Sequence, residues 1–202
     1  MPPPLSSAPQ APASTIPYVD SPSFGPVYAI RDAQDLEELR AIRKPKFPQP
    51  VGQYLRDHGL LTQAELDEAL ALQRRMRGRR IGWVMKTLGL FDEQTLGRAL
   101  AAHAGVHHVE LRRYKASEDF RPLLPGEKWH GRGVAILHRQ EEHGWIAVID
   151  VTDSQVTADI AATLERPVLR VMATQGDIQE FLSSERHGGD WVNSADLDWT
   201  AP

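Results

Sequence analysis

The stretch VGQYLRDHGLLTQAELDEALALQ, Val51 to Gln73, recurs thirty residues later as IGWVMKTLGLFDEQTLGRALAAH, Ile81 to His103. The two copies share glycines and apolar residues in one register: Gly52 with Gly82, Gly59 with Gly89, Leu60 with Leu90, Leu66 with Leu96, Ala69 with Ala99 and Leu70 with Leu100. A register kept over this length predicts two copies of one supersecondary unit. Such a pair can present two equivalent half-sites to a two-fold ligand.

Each copy is predicted to be a helix hairpin. Gly59 and Gly89 stand where a short first helix ends and the chain reverses. Thr62 followed by Glu65 has the spacing of a capping box for the second helix of copy one, and Asp92 is the equivalent cap in copy two. The leucines and alanines of each second helix recur every three or four residues, which predicts one buried stripe in each copy.

Two features of the repeat are not explained by core packing. Gly52 and Gly82 begin the first helices, where glycine costs roughly 1 kcal/mol relative to alanine, and close approach of a ligand to the backbone is one reason to keep it. The connector Arg74–Arg80 is rich in arginine, although the chain has a net charge of -4. This connector is either a solvated linker or a phosphate-binding strip.

The repeat resembles the MshEN domain, found at the N-terminus of some type II secretion and type IV pilus assembly ATPases, whose tandem motifs bind cyclic di-GMP. The family motif runs Arg-Leu-Gly, paired aliphatic residues, Gly, paired aliphatic residues, Leu, Leu and a final Gln. Copy two follows it from Arg80 to His103, and copy one from Pro50 to Gln73. The resemblance covers roughly residues 47–184.

The resemblance implies a ligand site shared by both copies. In it, Arg80 would engage a guanine, the backbones of Gly52 and Gly82 would approach the phosphates, and Gln73 and His103 would reach base edges. The implied binding residues are Val51, Gly52, Leu60, Gln73, Arg80, Ile81, Gly82, Leu90 and His103. Pro50 replaces the opening arginine of copy one, and His103 replaces the closing glutamine of copy two. Arg56 and Lys86 also stand where the family favours an aliphatic residue.

The second half of the chain predicts a small α/β sandwich with helices on one face of the sheet. Its predicted order is β-β-α-β-α, with elements at Val134–His138, Trp145–Val151, Ser154–Leu164, Val168–Met172 and Asp177–Ser183. The fold class is therefore α+β, a helical repeat followed by this sandwich. Asp150 and Asp153 flank a strand end, where turn or capping roles are favoured over acid–base chemistry.

The predicted organisation has five parts. Residues 1–30 are a disordered Pro-rich leader, since eleven of the fifteen prolines lie in the first fifty residues. Residues 31–46 are a helix, over Asp32–Ile42, with a linker. Residues 47–104 are the ligand-binding repeat and 105–185 the α/β subdomain. Residues 186–202 are an acidic tail in which Trp191 and Trp199 are either docking anchors or folded back on the domain.

Composition limits the function classes. The chain has no cysteine, no long apolar span and no secretory signal, so we expect a cytoplasmic protein without disulfides or membrane insertion. No Gly-x-x-x-x-Gly-Lys-Ser/Thr loop occurs, so we expect no ATP hydrolysis and no enzyme activity. We also expect no cofactor.

Several functions compete for this sequence. A helix-turn-helix DNA-binding module is disfavoured because the second helix of copy one carries Glu65, Asp67 and Glu68. A metal site at His103, His107 and His108 lacks a carboxylate partner, and Gly105 is expected to end the helix first. The favoured function is a cyclic di-GMP receptor or adaptor that acts on a protein partner in a secretion, pilus or exopolysaccharide system. In the ATPases that the chain resembles, the homologous region docks onto a partner in the inner membrane. The alternative is a degenerate MshEN-like protein-interaction module without nucleotide binding.

Overall fold

The computed structural model describes residues 14–19, 24–116 and 132–186. The described helices are α1 (Ala33–Ala41), α2 (Val51–Asp57), α3 (Gln63–Arg75), α4 (Ile81–Thr87), α5 (Glu93–Ala104), α6 (Ser154–Leu164) and α7 (Gln175–Arg186). The described strands are β1 (Tyr18–Val19), β2 (Val27–Ala29), β3 (His107–Glu110), β4 (Val134–Arg139), β5 (Gly144–Val148) and β6 (Val168–Met172).

The repeat forms the two predicted helix hairpins, α2–α3 and α4–α5. Gly59 and Gly89 take left-handed backbone conformations, with φ of 71° and 70°, at the two reversals. The capping box of copy one is present, because the Thr62 hydroxyl accepts from the Glu65 amide and the Glu65 carboxylate accepts from the Thr62 amide. In copy two the Asp92 carboxylate accepts from the Thr95 amide at 2.8 Å.

The two hairpins share one apolar core. Both predicted stripes contribute to it, and the short first helices supply further residues from the opposite side: Tyr54, Leu55, Leu66, Ala69, Val84, Met85, Leu96 and Ala99. Burying a leucine side chain contributes roughly 1.5–3 kcal/mol. Neither hairpin alone covers its apolar stripe, so the copies stabilise each other.

The C-terminal half forms most of a six-stranded sheet with the order β1-β2-β3-β6-β5-β4. The predicted hairpin is the antiparallel pair β4–β5, and β6 returns parallel to β5 after α6. The helix Ser154–Leu164 and the strand Val168–Met172 have their predicted bounds. Strand β3 was not predicted, because its four residues include two histidines and form no apolar run.

Helices cover both faces of the sheet, so the prediction that they lie on one face is wrong. Consecutive residues of β4, from Val134 to Leu137, are all buried, and alternate side chains join different apolar clusters. Helices α1 and α7 pack on the face of Ala135, whereas α5 and α6 pack on the face of Ile136. Both faces of β4 are therefore core.

Within the predicted leader over residues 1–30, the described residues include strands β1 and β2. Tyr28 is 1% exposed, and β2 pairs in parallel with β3 through Val27 and His108. This short apolar segment is held by sheet hydrogen bonds and core burial, which its proline-rich surroundings concealed. Helix α1 follows as predicted, with Asp32 as its cap. The predicted tail, with Trp191 and Trp199, lies outside the described residues.

The domain boundary predicted at residue 104 lies at the end of helix α5, which packs against both the repeat core and the sheet. Helix α5 closes the repeat core through Leu96 and Ala99, and its Ala101 packs on the sheet beside Met172. The repeat and the sheet are therefore joined through one helix. Within the described ranges, no helix combines the length and apolar character needed to cross a bilayer.

Candidate functional site

A cavity of about 440 Å³ lies between the first helix of copy two and the carboxyl ends of strands β5 and β6. The carboxyl edge of parallel strands is where α/β sheets commonly bind ligands. Four of the predicted site residues line the cavity: Val51, Arg80, Ile81 and Gly82. Copy one contributes only Val51 to this lining, so the site that the structure forms belongs mainly to copy two.

Arg80 reaches across the cavity wall to the α/β half of the chain. Its Nη1 donates to Asp150 Oδ2 at 2.5 Å and to the Thr152 hydroxyl at 2.6 Å, and its Nη2 lies 3.4 Å from Asp153 Oδ2. The side chain remains 46% exposed. An ion pair at such exposure contributes roughly 0–1 kcal/mol to stability. Arg80 therefore connects the two halves and stays accessible to a ligand.

Asp150 and Asp153 have the predicted local roles. One oxygen of Asp150 accepts from the Thr152 amide at 2.8 Å, which forms a turn, and Asp153 caps α6 by accepting from the Val156 amide at 3.0 Å. Each carboxylate uses its other oxygen to face Arg80. The prediction of turn and capping roles is confirmed, and the sequence had not indicated their pairing with Arg80.

Gln73 and His103 are the last residues of the two copies, and each binds the backbone carbonyl that directly precedes the other copy. The Gln73 side-chain amide donates to the carbonyl of Arg79, directly before copy two, at 3.0 Å. His103 Nε2 lies 2.6 Å from the carbonyl of Gln49, directly before copy one. Because a carbonyl only accepts, the His103 proton is on Nε2. The end of each copy thus fixes the start of the other.

The two helix-starting glycines differ in their surroundings. A Cβ on Gly52 would lie 2.5 Å from Leu66 Cδ1, so this glycine is required by packing inside copy one. A Cβ on Gly82 would meet Leu100 Cδ1 at an ordinary 3.6 Å. Packing therefore does not require glycine at position 82, which faces the cavity.

The predicted aliphatic contacts differ by motif position rather than by copy. All four residues pack half-buried against the repeat core, and Val51 and Ile81 also reach the cavity, whereas Leu60 and Leu90 do not line it. Near copy one, aromatic rings gather around Tyr54, whose ring centroid lies 4.9 Å from that of Phe47 and 5.2 Å from that of His103. Burial raises the pKa of Tyr54. The ring cluster thus packs copy one against Phe47 and against the end of copy two.

The cavity wall carries charges of both signs. The cations are Arg79, Arg80, Lys86 and Arg132, and the carboxylates are Glu93, Asp150 and Asp153. Lys86 pairs with Glu93 at 3.3 Å, and Arg132 pairs with Asp159 at 2.8 Å. A phosphate-bearing ligand would compete with these carboxylates for the cations, and charge-assisted bonds to phosphate are among the stronger hydrogen bonds.

The sequence interpretation missed Trp83, which also lines this cavity. Its side chain is 41% exposed, and the guanidinium carbon of Arg79 lies 4.9 Å from the ring centroid. The signal was a tryptophan on the solvent side of a short helix, directly after an arginine-rich connector. It was overlooked because it stands between the motif positions that carry the resemblance.

The three histidines considered for a metal site do not form one. Gly105 ends α5 in a left-handed conformation after His103, and His107 and His108 lie on β3. Burial lowers the pKa of both β3 histidines to about 4, so they are neutral at pH 7. In the part of the chain that the structure describes, no three His, Cys, Asp or Glu side chains are grouped to hold a metal ion.

Comparison with known proteins supports the resemblance drawn from the repeat. Residues 104–187 match the family model of the MshEN domain. The chain is also 35% identical over 122 residues to the type IV pilus assembly ATPase PilB of Thermus thermophilus. That match covers 58% of this chain and 14% of the ATPase, so the chain spans a small part of its relative. The family match begins at the end of copy two.

Two solved structures are similar to this chain, and the one with the higher TM-score shares its fold. A structure of MshE with cdg superposes with a TM-score of 0.61 at 24% identity, covering 68% of this chain and 99% of that one. The N-terminal domain of XpsE has a TM-score of 0.46 at 16% identity, covering 65% and 90%. The α+β fold class, with a helical part and a mixed sheet, is thereby confirmed.

Proposed function

Starting from the match of residues 104–187 to the MshEN domain, we propose that this chain is a cyclic di-GMP receptor. It would pass the state of that second messenger to a protein partner in a secretion, pilus or exopolysaccharide system. The MshE structure that shares its fold carries cdg, that is, cyclic di-GMP. We place the receptor in the cytoplasm and expect it to bind the messenger without chemical change.

The observation that carries this proposal is the convergence of motif residues on one cavity. Arg80, Ile81 and Gly82 open copy two, and Val51 joins them from copy one. The volume of about 440 Å³ lies within the range of roughly 300–1,000 Å³ typical of ligand sites. Apolar side chains, an accessible helix-start backbone and several cations are the groups that a guanine nucleotide needs.

One guanine, the sugar and the phosphates of the ligand can each find a partner on the cavity wall. The Arg80 guanidinium can donate two parallel hydrogen bonds to guanine O6 and N7. The backbone at Gly82 lines the cavity, where it can approach a phosphate. Val51 and Ile81 offer apolar contact to the sugar and base. Arg79 and Lys86 can neutralise phosphate charge.

The contact between Arg80 and Asp150 suggests how binding is passed on. These residues belong to the two halves of the chain and are seventy positions apart. A guanine that takes donors of Arg80 weakens its bonds to Asp150 and Thr152, which loosens the repeat from the sheet. We propose that the partner protein recognises this change in the contact between the halves.

A second candidate function is an interaction module that has lost its nucleotide. Two observations favour it: Arg80 already has carboxylate partners, and Leu66 occupies the space beside Gly52. In this alternative Arg80 only holds the two halves together. The partner protein would then bind the same domain regardless of cyclic di-GMP.

Isothermal titration of the full chain with cyclic di-GMP separates the two functions. The receptor predicts saturable binding with a micromolar or lower Kd, while GTP and cyclic di-AMP serve as controls for guanine and for cyclic dinucleotide chemistry. Absence of heat with cyclic di-GMP at high protein concentration, from a protein that unfolds cooperatively, would reject the receptor and favour the interaction module.

A further inference from the structure

Trp83 is an exposed aromatic side chain on a folded helix. It is 41% exposed and lies outside the apolar cluster that unites the two hairpins. Trp145, by contrast, is 3% exposed and is fixed by a hydrogen bond to Glu37. Burial in the core therefore does not account for an indole at position 83.

The equivalent position of copy one shows what this part of the fold requires. Thirty residues earlier stands Gln53, which is exposed on α2. A polar side chain is thus compatible with the same backbone, the same turn and the same helix. The tryptophan of copy two is a local addition on the side of the repeat that opens to the cavity.

A flat cation already lies over the indole. The guanidinium carbon of Arg79 lies 4.9 Å from the ring centroid, within the distance of a cation–π contact. This contact marks a ring face that accepts a planar group from the cavity side. Arg79 is half-buried on the connector, and Gln73 holds its backbone carbonyl, so its side chain can leave the ring while the main chain stays in place.

We propose that Trp83 is a base-stacking residue of the nucleotide site, a role that rests on the proposed function. One guanine of the ligand lies on the indole face that Arg79 covers in the free protein, with its Hoogsteen edge toward Arg80. Arg79 then turns to a phosphate. Stacking on an aromatic ring does not depend on base identity, so Trp83 supplies affinity while Arg80 supplies the preference for guanine.

This stack also compensates for copy one. Proline at position 50 cannot engage a base, so one half of a two-fold ligand lacks the arginine that the motif would provide. Removing a base–aromatic stack weakens binding affinity roughly five- to hundredfold. The asymmetric site thus replaces a missing contact in one copy with an additional contact in the other.

Titration calorimetry and tryptophan fluorescence on three variants test this proposal. Trp83→Ala is expected to weaken cyclic di-GMP binding roughly five- to hundredfold. Trp83→Phe keeps a stacking ring and should retain most of the affinity. Gln53→Ala, at the same position of copy one, is the matched control and should bind like the wild type. Thermal unfolding verifies that each variant is folded.

Fluorescence supplies a readout that a merely structural role would not give. A stacked guanine quenches the indole, so cyclic di-GMP should reduce the emission of the wild type but not that of Trp83→Phe. Wild-type affinity in Trp83→Ala, or an unchanged quench in Trp83→Phe, would overturn the stacking role while leaving the receptor intact. A wild-type protein that binds no cyclic di-GMP would overturn the receptor and the stacking role together.

Discussion

The two copies of the repeat have one backbone plan and two different surfaces. Both reverse at a left-handed glycine, both cap the second helix with a side-chain oxygen, and each ends by binding the carbonyl before the other. Copy one closes around Tyr54 and Leu66, whereas copy two opens at Arg80 and Gly82 on the cavity. The two copies share one scaffold, and the repeat residues that line the cavity lie mainly in copy two.

Replacing the opening residue of each copy should have the largest effect on binding. Arg80→Ala is expected to weaken the cyclic di-GMP affinity by about 1–3 kcal/mol, because a bidentate guanine contact is lost. Pro50→Ala is the matched variant and should leave the affinity unchanged. Titration calorimetry of both proteins measures the difference. Equal losses in the two variants would mean that the copies contribute alike.

Adding a methyl group to the helix-starting glycines should separate the copies by stability. Gly52→Ala places a Cβ against Leu66 and should lower the free energy of unfolding by about 1–3 kcal/mol, typical of overpacking. Gly82→Ala should raise the free energy of unfolding by up to about 1 kcal/mol, because alanine is favoured over glycine in a helix and its Cβ meets no clash, and it should weaken ligand binding. Urea denaturation gives the first quantity. A Gly82→Ala protein destabilised as much as Gly52→Ala would contradict the assignment of an open copy two.

The reciprocal end contacts should be equivalent in the two copies. His103→Ala and Gln73→Ala each remove a donor to a carbonyl and should each cost about 1 kcal/mol of stability. His103→Gln restores the motif residue and should be close to neutral, since a side-chain amide donates to Gln49 as the imidazole does. The same denaturation series measures all three. Severe loss in His103→Gln would show that the ring packing on Tyr54 dominates.

Restoring the missing arginine should have the smallest effect. Pro50 precedes α2 with φ of -55° and ψ of 142°, and Arg80 holds the equivalent position with φ of -78° and ψ of 151°, so Pro50→Arg fits the backbone. We expect a modest gain in cyclic di-GMP affinity, seen as a lower Kd in calorimetry. Weaker binding would indicate that the proline itself shapes the site.

Local features were predictable from the sequence, and long-range contacts were not. Interactions among near neighbours, which periodicity and capping rules describe, determine the reversal at Gly59, the Thr62 cap of α3 and the helix Ser154–Leu164. The partner of Arg80 could not be foreseen, since Asp150 lies seventy residues away and reaches it only through the packing of two units. Capping roles for Asp150 and Asp153 were predicted for the same local reason.

The sheet and the predicted site show the same limit. Helices cover both faces of the sheet, because successive side chains of β4 are buried on opposite faces. A short apolar run in the sequence does not show whether one face of a strand is buried or both. The motif indicated nine ligand residues, and four of them line one cavity. Packing against Leu66 explains Gly52, and main-chain bonds engage Gln73 and His103, contacts that spacing alone does not contain.

A structure of the full chain with cyclic di-GMP bound tests the asymmetry of the two copies most directly. We expect one guanine in the cavity beside Arg80, stacked on Trp83, with a phosphate near Gly82 and Arg80 turned from Asp150. A ligand lying along Pro50 and Gly52 of copy one, with the cavity beside Trp83 empty, would contradict this expectation.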